Sequence, residues 1–317
     1  GYKYEEVLTG LEFERLSVAS GPTGGKIVIN GKEPKEVVFI SCVGSRERER
    51  EKEPELEPRI GTPYCSRVCC MYIAKQAHLV REKIPDARVR VLYNDVRAFG
   101  KGFEEFYNRV REEGVEYIRK ELEEPVTVVK EKAGESGVVV RTRSSDGRTI
   151  EIKADLVVLA TAIVPAKRTE ELVRILKLTR SGDGFFMEAH PKLRPLDTFT
   201  DGIFIAGCCQ SPKDIPDSVA QAVGAAMRAS IPLMQGEVEI EPLVAEVDVS
   251  LCTGCGICEE ICPFGALKLD KDRGTMSVNE VVCKGCGSCN AICPSGAISI
   301  KHFRDKQIYA QIEAISR

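Results

Sequence analysis

The chain has 317 residues, 43% of them hydrophobic, and a formal net charge of −3 at neutral pH. This length allows two or three domains with apolar cores, and the small net charge does not favour a nucleic-acid partner. The sequence contains no apolar run of about 18 residues and starts without a signal-peptide pattern, so neither a membrane span nor secretion is expected.

The fourteen cysteines fall into groups with the spacing of metal ligands rather than of disulfides. The chain is also longer than the small secreted proteins in which disulfides replace a hydrophobic core. We therefore expect the protein to work in a reducing cytoplasm.

The first half of the chain alternates apolar runs with amphipathic segments. Residues 37–40 are an uninterrupted apolar run, typical of a buried parallel strand, and a helix is predicted from about Cys65 to Lys83, before Pro85. Further elements follow in order: a strand at 88–93, a helix at 102–114, a strand at 115–118, three β-rich pieces at 125–132, 137–143 and 148–154, and a last buried strand and loop at 154–165. This order predicts a dinucleotide-binding α/β domain.

The predicted domain lacks the glycine fingerprint that lets a backbone approach a pyrophosphate. Its first strand is followed by SCVGSR, in which Gly44 stands alone, so we infer that NAD(P) binding is lost. A charged run at residues 46–58 comes next and is interpreted as a solvated loop.

Four cysteines replace the phosphate-binding loop at the same edge of the predicted sheet. Cys65 and Cys69 are four residues apart and are expected on one face of the helix, with Cys70 beside them and Cys42 at the tip of the strand. A helix N-terminus favours the negative charge of thiolates. We hypothesise that Cys42, Cys65, Cys69 and Cys70 ligate an iron–sulfur cluster. The alternative is a buried or redox-active thiol group.

Two further segments follow this domain. Residues 200–210, TDGIFIAGCCQ, predict a buried strand that ends at Gly207, and residues 216–230 predict a helix rich in small residues. Cys209 is expected to be buried rather than a ligand.

The pattern C-x2-C-x2-C-x3-C-P occurs twice near the C-terminus, at residues 252–263 and 283–294. In such runs three cysteines surround one iron–sulfur cube, and the fourth is displaced toward the neighbouring cube. Two [4Fe–4S] clusters are therefore predicted, one held by Cys252, Cys255, Cys258 and Cys293, and the other by Cys283, Cys286, Cys289 and Cys262. Structural zinc or free thiols are the alternatives. Residues 243–303 resemble the bacterial two-cluster ferredoxin family.

Several segments together resemble the A-type subunit of heterodisulfide reductase, in that family's order and over nearly the whole chain. They are FISCVGSR, YCSRVCCMYIAKQA, VLYNDVRAFGKGFEEFY, EAHPKLRPLDTFTDGIFIAGCCQSPKDIPDSVAQA and the double cysteine tail. The resemblance implies an iron–sulfur flavoprotein on a thioredoxin-reductase-like frame, with split FAD- and NAD-type Rossmann domains and added ferredoxin modules. It also implies that the four cysteines of the first domain are cluster ligands.

The same resemblance implies FAD as a cofactor and an oxidoreductase role in which electron pairs are split between a heterodisulfide and ferredoxin. The implied partners are the other heterodisulfide reductase subunits, a small adaptor protein of a hydrogenase or formate dehydrogenase, and ferredoxin, in a dimer of complexes. The G-x-G-x-x-G of the family's FAD fold does not occur in this sequence. The first part of the flavin domain is therefore expected in a longer chain or in a separate polypeptide, with FAD shared between the two parts.

Expected flavin contacts are carried over from a likeness to thioredoxin reductase and related flavoproteins. Gly207 corresponds to the end of the strand that holds the ribityl–phosphate portion, and Cys208 stands where the usual aspartate would be. The start of the following helix should direct backbone N–H groups toward the flavin pyrimidine. The expected contacts are Gly207, Cys208, Ser218, Ala220, Gln221, Ala222 and, as a cation near the flavin, Lys101. Ordinary helix packing, and a solvated helix start for Lys101, are the alternatives.

The sequence thus predicts an α/β plus α+β fold with four parts. They are an N-terminal part of the flavin domain or linker (1–34), a nucleotide-type domain bearing a cysteine set (35–160), the second half of the FAD-binding domain (161–240), and a two-cluster ferredoxin-like domain with a tail (241–317). Three other functions compete with the bifurcating subunit. They are a relative linked to sulfur metabolism or quinone without bifurcation, a flavin-free chain of clusters, and an NAD(P)H-dependent flavin disulfide reductase. The missing glycine fingerprints argue against the last.

Overall fold

The computed structural model describes residues 1–47, 61–121, 124–130, 136–238 and 242–316. It separates into two compact units, one of residues 1–164 and 212–214 and the other of residues 165–211 and 215–317. Within the described ranges, no helix combines the length and apolar character needed to cross a membrane.

The first unit is built on a five-stranded parallel sheet and a three-stranded antiparallel sheet. Its elements are, in chain order, β1 (Val7–Thr9), α1 (Gly10–Ser17), β2 (Glu36–Val43), α2 (Cys69–Lys83), β3 (Arg88–Tyr93), α3 (Phe103–Glu112), β4 (Glu116–Arg119), β5 (Thr127–Val129), β6 (Val138–Arg143), β7 (Thr149–Ala154) and β8 (Leu156–Thr161). The parallel sheet has the order β1-β8-β2-β3-β4, and β5, β6 and β7 form the antiparallel sheet. The alternation predicted from the apolar runs is present.

The apolar run of β2 lies at the centre of the parallel sheet and is buried on both faces. Val37 and Phe39 pack toward the helices, and Val38 packs toward the antiparallel sheet; all three are 0% exposed. Phe39 also packs edge-to-face against Phe13 of α1, with 5.7 Å between the ring centres. A strand covered on both sides has no position for a solvated side chain, which explains the unbroken apolar sequence. This packed strand leads directly to Cys42.

Two boundaries in the first unit differ from the sequence expectation. β1 pairs in parallel with β8, so the N-terminal segment belongs to the same sheet as β2 rather than to a part that ends at residue 34. Helix α2 begins at Cys69 rather than near Cys65, because Arg67 has a φ of +61°, a left-handed backbone that interrupts the helical path. The expectation that Cys65 shares a helix face with Cys69 is therefore wrong.

The second unit contains two helices followed by a ferredoxin-like α+β domain. Its elements are α4 (Thr169–Leu176), α5 (Ile215–Gln235), β9 (Ala245–Val247), α6 (Ile257–Ile261), β10 (Leu267–Asp270), β11 (Thr275–Val278), α7 (Ser288–Ile292), β12 (Ile298–Ile300) and α8 (Asp305–Ile315). β9 pairs antiparallel with β12, and β10 with β11. Each cysteine repeat thus contributes a loop, a short helix and a strand, and the α/β plus α+β fold class is confirmed. The expected boundary at residues 240 and 241 lies outside the described residues.

Residues 200–210 do not form the predicted buried strand. Phe204 makes an isolated bridge with Asp197, and Gly207–Cys209 form a short 3₁₀ helix. Ile205 is buried, but most of its neighbours are not. An apolar run becomes a buried strand only when other strands pair with its edges, and in the described part of the chain the single bridge to Asp197 is its only strand-type partner.

An ion pair fixes this segment to α5. Asp197 is 4% exposed, and its carboxylate accepts hydrogen bonds from Arg228 of α5 at 2.8 and 3.2 Å. Burial opposes its ionisation, but the hydrogen bonds and charges of Arg228 and Arg194 prevail and lower the pKa of Asp197. Because its pKa is lower in the folded chain, its contribution to stability is complete above the unfolded pKa and is lost only as pH falls through the folded pKa.

Asp197→Asn is expected to lower the free energy of unfolding by about 2 kcal/mol, the usual contribution of a hydrogen bond to a charged group. The loss should be the same at about pH 6 and about pH 8, since both lie above the unfolded pKa. Urea unfolding at each pH measures it. Glu171→Gln, at an exposed carboxylate on α4, is the control and should cost less than about 0.5 kcal/mol. A loss that changes between the two pH values would contradict this account.

Candidate functional site

Two cavities in the ferredoxin-like domain are each lined by four cysteines. Cavity I is lined by Cys252, Cys255, Cys258 and Cys293. Cavity II is lined by Cys283, Cys286, Cys289 and Cys262. In each cavity the fourth cysteine comes from the other repeat, so the structure brings together the two sets that the spacing predicts.

The lining of each cavity fits an iron–sulfur cube. In both cavities four cysteine sulfurs surround one space, as is needed for a cube whose iron atoms are bound from its corners. Among the described residues, no three His, Cys, Asp or Glu side chains gather around one ion position.

Glycines allow the backbone to close around both cavities. A Cβ on Gly285 would lie 1.9 Å from the carbonyl oxygen of Leu243, and one on Gly254 would lie 2.2 Å from that of Gly274. Both glycines also have positive φ, +57° and +69°, which residues with a Cβ seldom adopt. The spacing between the first two cysteines of each run therefore depends on glycine.

Backbone N–H groups point at sulfurs of both cavities. Three such hydrogen bonds, of 3.4, 3.3 and 3.3 Å, run from Met276 to Cys252, from Ala245 to Cys283 and from Ala266 to Cys262. They stabilise negative charge on sulfur. Burial has the opposite effect on Cys289 and raises its pKa to about 11, so metal binding has to drive the release of that proton.

Three cysteines of the first unit meet where β2 ends and α2 begins. The Cys69 thiol is hydrogen-bonded to Cys42 and to Cys70, and Cys70 Sγ lies 3.7 Å from the carbonyl oxygen of Asp95. The hydrogen bond with Cys69 lowers the pKa of Cys42 to about 6, and the charges of Arg46 and Lys120 act in the same direction against burial. These hydrogen bonds favour thiolate at Cys42 and Cys70 but raise the pKa of Cys69, so a cluster bound here would have to displace the Cys69 proton.

The backbone at Cys42 is strained where the residue joins this cysteine group at the end of β2. Its φ is +61°, and the pairing of β2 with β8 shifts register between Ile40 and Val43, as in a β-bulge. Left-handed backbone costs a residue with a Cβ about 1–2 kcal/mol, and such strain is concentrated at functional sites. The bulge redirects the side chain at the C-terminal edge of the sheet.

Cys65 reaches the same region from the loop before α2. Its Sγ accepts a hydrogen bond from the backbone N–H of Arg67 at 3.3 Å, and Arg46 is near enough to interact electrostatically with both Cys65 and Cys42. Arg46 has a side chain 19% exposed and pairs with Asp95 at 2.6 Å, so its assignment to a solvated loop is wrong. Nothing in the sequence separates this arginine from the charges that follow it. Residues 48–58 of that run lie outside the described residues.

The structure brings together three of the predicted flavin-contact residues. Gly207 has a φ of +70° and donates its backbone N–H to Gln221 Oε1 at 2.8 Å. The Ser218 hydroxyl lies 3.6 Å from the place that a Cβ on Gly207 would occupy. The Gln221 side chain therefore holds the Gly207 turn against the start of α5, a role that the sequence pattern did not reveal.

The other predicted flavin contacts lie at the surface. Cys208, Ala220 and Ala222 are exposed, and Lys101 is exposed in the turn before α3 of the first unit. Cys209 is exposed as well, so the expectation that it is buried is wrong. It lies in a short 3₁₀ helix at the surface rather than at the end of a buried strand.

A family model described as a 4Fe-4S dicluster domain matches residues 251–297. This range contains both cysteine runs and therefore the cysteine lining of cavities I and II.

Curated relatives match almost the whole chain. A Methanothermobacter thermautotrophicus protein, named as the A-type subunit of H(2):CoB-CoM heterodisulfide,ferredoxin reductase, is 52% identical over 99% of this chain and 46% of its own length. A Methanopyrus kandleri protein, named as the second A-type iron-sulfur subunit of CoB--CoM heterodisulfide reductase, is 49% identical over 99% of this chain and 47% of its own. A Methanococcus maripaludis protein, named as the A-type subunit of H(2)/formate:CoB-CoM heterodisulfide,ferredoxin reductase, is 42% identical over 98% and 46%. The chain spans about half the length of these relatives.

Likeness to solved structures is weaker. An HOCl-induced flavoprotein disulfide reductase from Escherichia coli aligns with a TM-score of 0.38 and 11% identity, over 68% of this chain and 40% of its own.

Proposed function

Because the chain belongs to the family of A-type heterodisulfide reductase subunits, we propose that it carries electrons between a flavin and iron–sulfur partners in a heterodisulfide-reducing complex. The observation that carries this proposal is the pair of cavities, each lined by four cysteines drawn from both repeats. [4Fe–4S] clusters bound there supply one-electron transfer at potentials set by the surrounding protein. The chain itself holds the sulfurs, directs N–H groups at them and buries one or two of the cysteines at each cavity.

We extend the proposal to a third cluster, held by Cys42, Cys65, Cys69 and Cys70. Three of these thiols are joined by hydrogen bonds at the start of α2, where the helix dipole favours negative charge. The strained backbone at Cys42 and the partly buried charge of Arg46 support a built site rather than a chance group of thiols.

We further propose that FAD binds at the start of α5 and is completed by the remaining part of the flavin domain. Val219, Val223 and Met227 follow one another at helical spacing on α5 and are 56%, 67% and 65% exposed. A continuous exposed apolar face of this kind usually marks an interaction surface. The curated relatives are about twice as long as this chain. In this proposal the exposed face of α5 is covered by the flavin and by the other part of the flavin domain.

The proposed partners are the other heterodisulfide reductase subunits, a small adaptor protein of a hydrogenase or formate dehydrogenase, and ferredoxin. The names of relatives support them, since one names hydrogen and ferredoxin and another names hydrogen or formate. In this proposal electron pairs are split between a heterodisulfide of two thiol coenzymes and ferredoxin, in a cytoplasmic dimer of complexes.

Iron analysis of the anaerobically purified complex tests the cluster assignment. We expect about twelve iron atoms per chain, from three four-iron clusters, and FAD released by acid. Cys42→Ala should lower the count by up to about four, because it removes one of the four thiolates that hold the cube.

Cys209→Ala is the matched control and should keep all the iron, because Cys209 is exposed and outside the three cysteine sets. A wild-type count near eight, with no further cluster signal in electron paramagnetic resonance, would exclude the third cluster. An iron-free wild-type complex would overturn the whole proposal.

A further inference from the structure

The two cysteine repeats differ in charge at the position that follows the first cysteine of each run. Lys284 lies between Cys283 and Cys286 and lines cavity II, whereas Thr253 holds the equivalent place in the first repeat and lines cavity I. Of the two cavities, only cavity II therefore has a lysine among its lining residues.

The same lysine connects the ferredoxin-like domain to the α4–α5 segment (residues 165–211 and 215–238). Its ammonium forms an ion pair with Asp201, with side chains only 17% and 31% exposed. A second contact lies nearby, where the Lys177 side chain packs against Gly265, 3.5 Å from the place of a Cβ. Gly265 follows Phe264, which lines cavity II. Both contacts thus join the chain segments around cavity II to the α4–α5 segment.

A fixed positive charge beside a cluster stabilises its reduced, more negative form and raises its potential. The effect is strong at short range and in a partly buried position, where water screens little. Asp201 opposes it, since the carboxylate neutralises part of the lysine charge.

Other charges near the cavities act less selectively. Glu259 and Glu260 of α6 have no counterpart in α7, where Asn290 and Ala291 stand. However, α6 connects Cys258 of cavity I with Cys262 of cavity II, so these carboxylates act on both clusters. Lys284 lies between two ligands of the same cavity, so its charge acts mainly on one cluster.

We propose that Lys284, balanced by Asp201, makes the cavity II cluster the higher-potential member of the pair and holds it against the α4–α5 segment. Lys284 is a positioning residue in this scheme, because it acts through the cluster rather than on a substrate. The inference depends on the proposed function, in that both cavities must hold clusters.

Redox titration of the purified complex, followed by electron paramagnetic resonance, tests the proposal. Lys284→Thr makes the second repeat like the first and should lower the midpoint of one cluster. At a fixed poised potential the ratio of reduced to oxidised cluster should fall about tenfold, which is 59 mV for a one-electron couple. Asp201→Asn should shift the same cluster in the opposite direction, and Lys284→Arg should restore the wild-type midpoint.

Lys271→Thr is the matched control, since it removes a lysine in the β10–β11 turn that lines neither cavity. It should move neither midpoint. The proposal is overturned if Lys284→Thr behaves like the control, if both clusters shift equally, or if both ion-pair variants shift a cluster in the same direction, as a purely structural contact would. Wild-type complex without iron would instead refute the proposed function.

Discussion

Replacing Cys262 by alanine is expected to remove the cluster in cavity II. The cluster in cavity I, which is lined by the other three cysteines of the same run, should stay in place. Cys262 belongs to the first run of cysteines, yet it lines cavity II with Cys283, Cys286 and Cys289. Its Sγ also accepts the backbone N–H of Ala266 at 3.3 Å, which fixes its direction. The variant should lose about four iron atoms per chain. Cys293→Ala should lose the same number from cavity I.

Double variants show which cluster has gone. Adding Cys286→Ala to Cys262→Ala should cost no further iron, because both cysteines line cavity II. Adding Cys255→Ala should remove the second ferredoxin-type cluster as well, because Cys255 lines cavity I. Strong non-additivity within one cavity and additivity between cavities is the expected signature of shared ligation. If Cys262→Ala and Cys255→Ala instead behaved as members of one set, each run would hold its own cube and the exchange would be refuted.

Gly285→Ala is expected to abolish the cavity II cluster, whereas Gly287→Ala should retain it. The added Cβ at Gly285 would meet the Leu243 carbonyl oxygen at 1.9 Å, and only movement of the backbone could relieve this overlap. Leu243 lies two residues before Ala245, whose N–H points at the Cys283 sulfur, so that movement would disturb a ligand.

Gly287 is the control for backbone conformation. Its φ is +79°, also left-handed, but no heavy atom lies within 4 Å of an added Cβ. Gly287→Ala should therefore cost only the left-handed penalty of about 1–2 kcal/mol. Iron content after purification and the temperature at which visible absorbance is lost measure both variants. Equal behaviour of the two alanine variants would mean that the approach of Leu243 is unimportant.

Local patterns in the sequence predicted the elements whose cause is local. The apolar run at 37–40 is buried on both faces of a parallel sheet, and the spacing of the last eight cysteines predicted the two sets that line the cavities. In both cases the sequence pattern follows directly from the physical requirement. A strand buried on both faces must be apolar, and cysteines must be spaced so that their sulfurs can bind one cluster.

Features that depend on distant partners were missed. Residues 200–210 have the composition of a buried strand, but a strand also needs neighbours, and composition does not reveal whether they are present. Cys65 and Cys69 have helical spacing, but the left-handed turn at Arg67 starts the helix later. The pairing of Lys284 with Asp201 joins residues 83 positions apart, which no local pattern encodes.

The crossed cysteines have a consequence for any molecule that contains a single copy of the repeat. Such a peptide could offer its own cube only three sulfurs and would have to lend the fourth to another molecule. Two identical peptides could meet this need by reciprocal donation across a two-fold axis. Joining the copies in one polypeptide makes the donation intramolecular, so that holding the metal no longer depends on concentration and dilution alone does not release it.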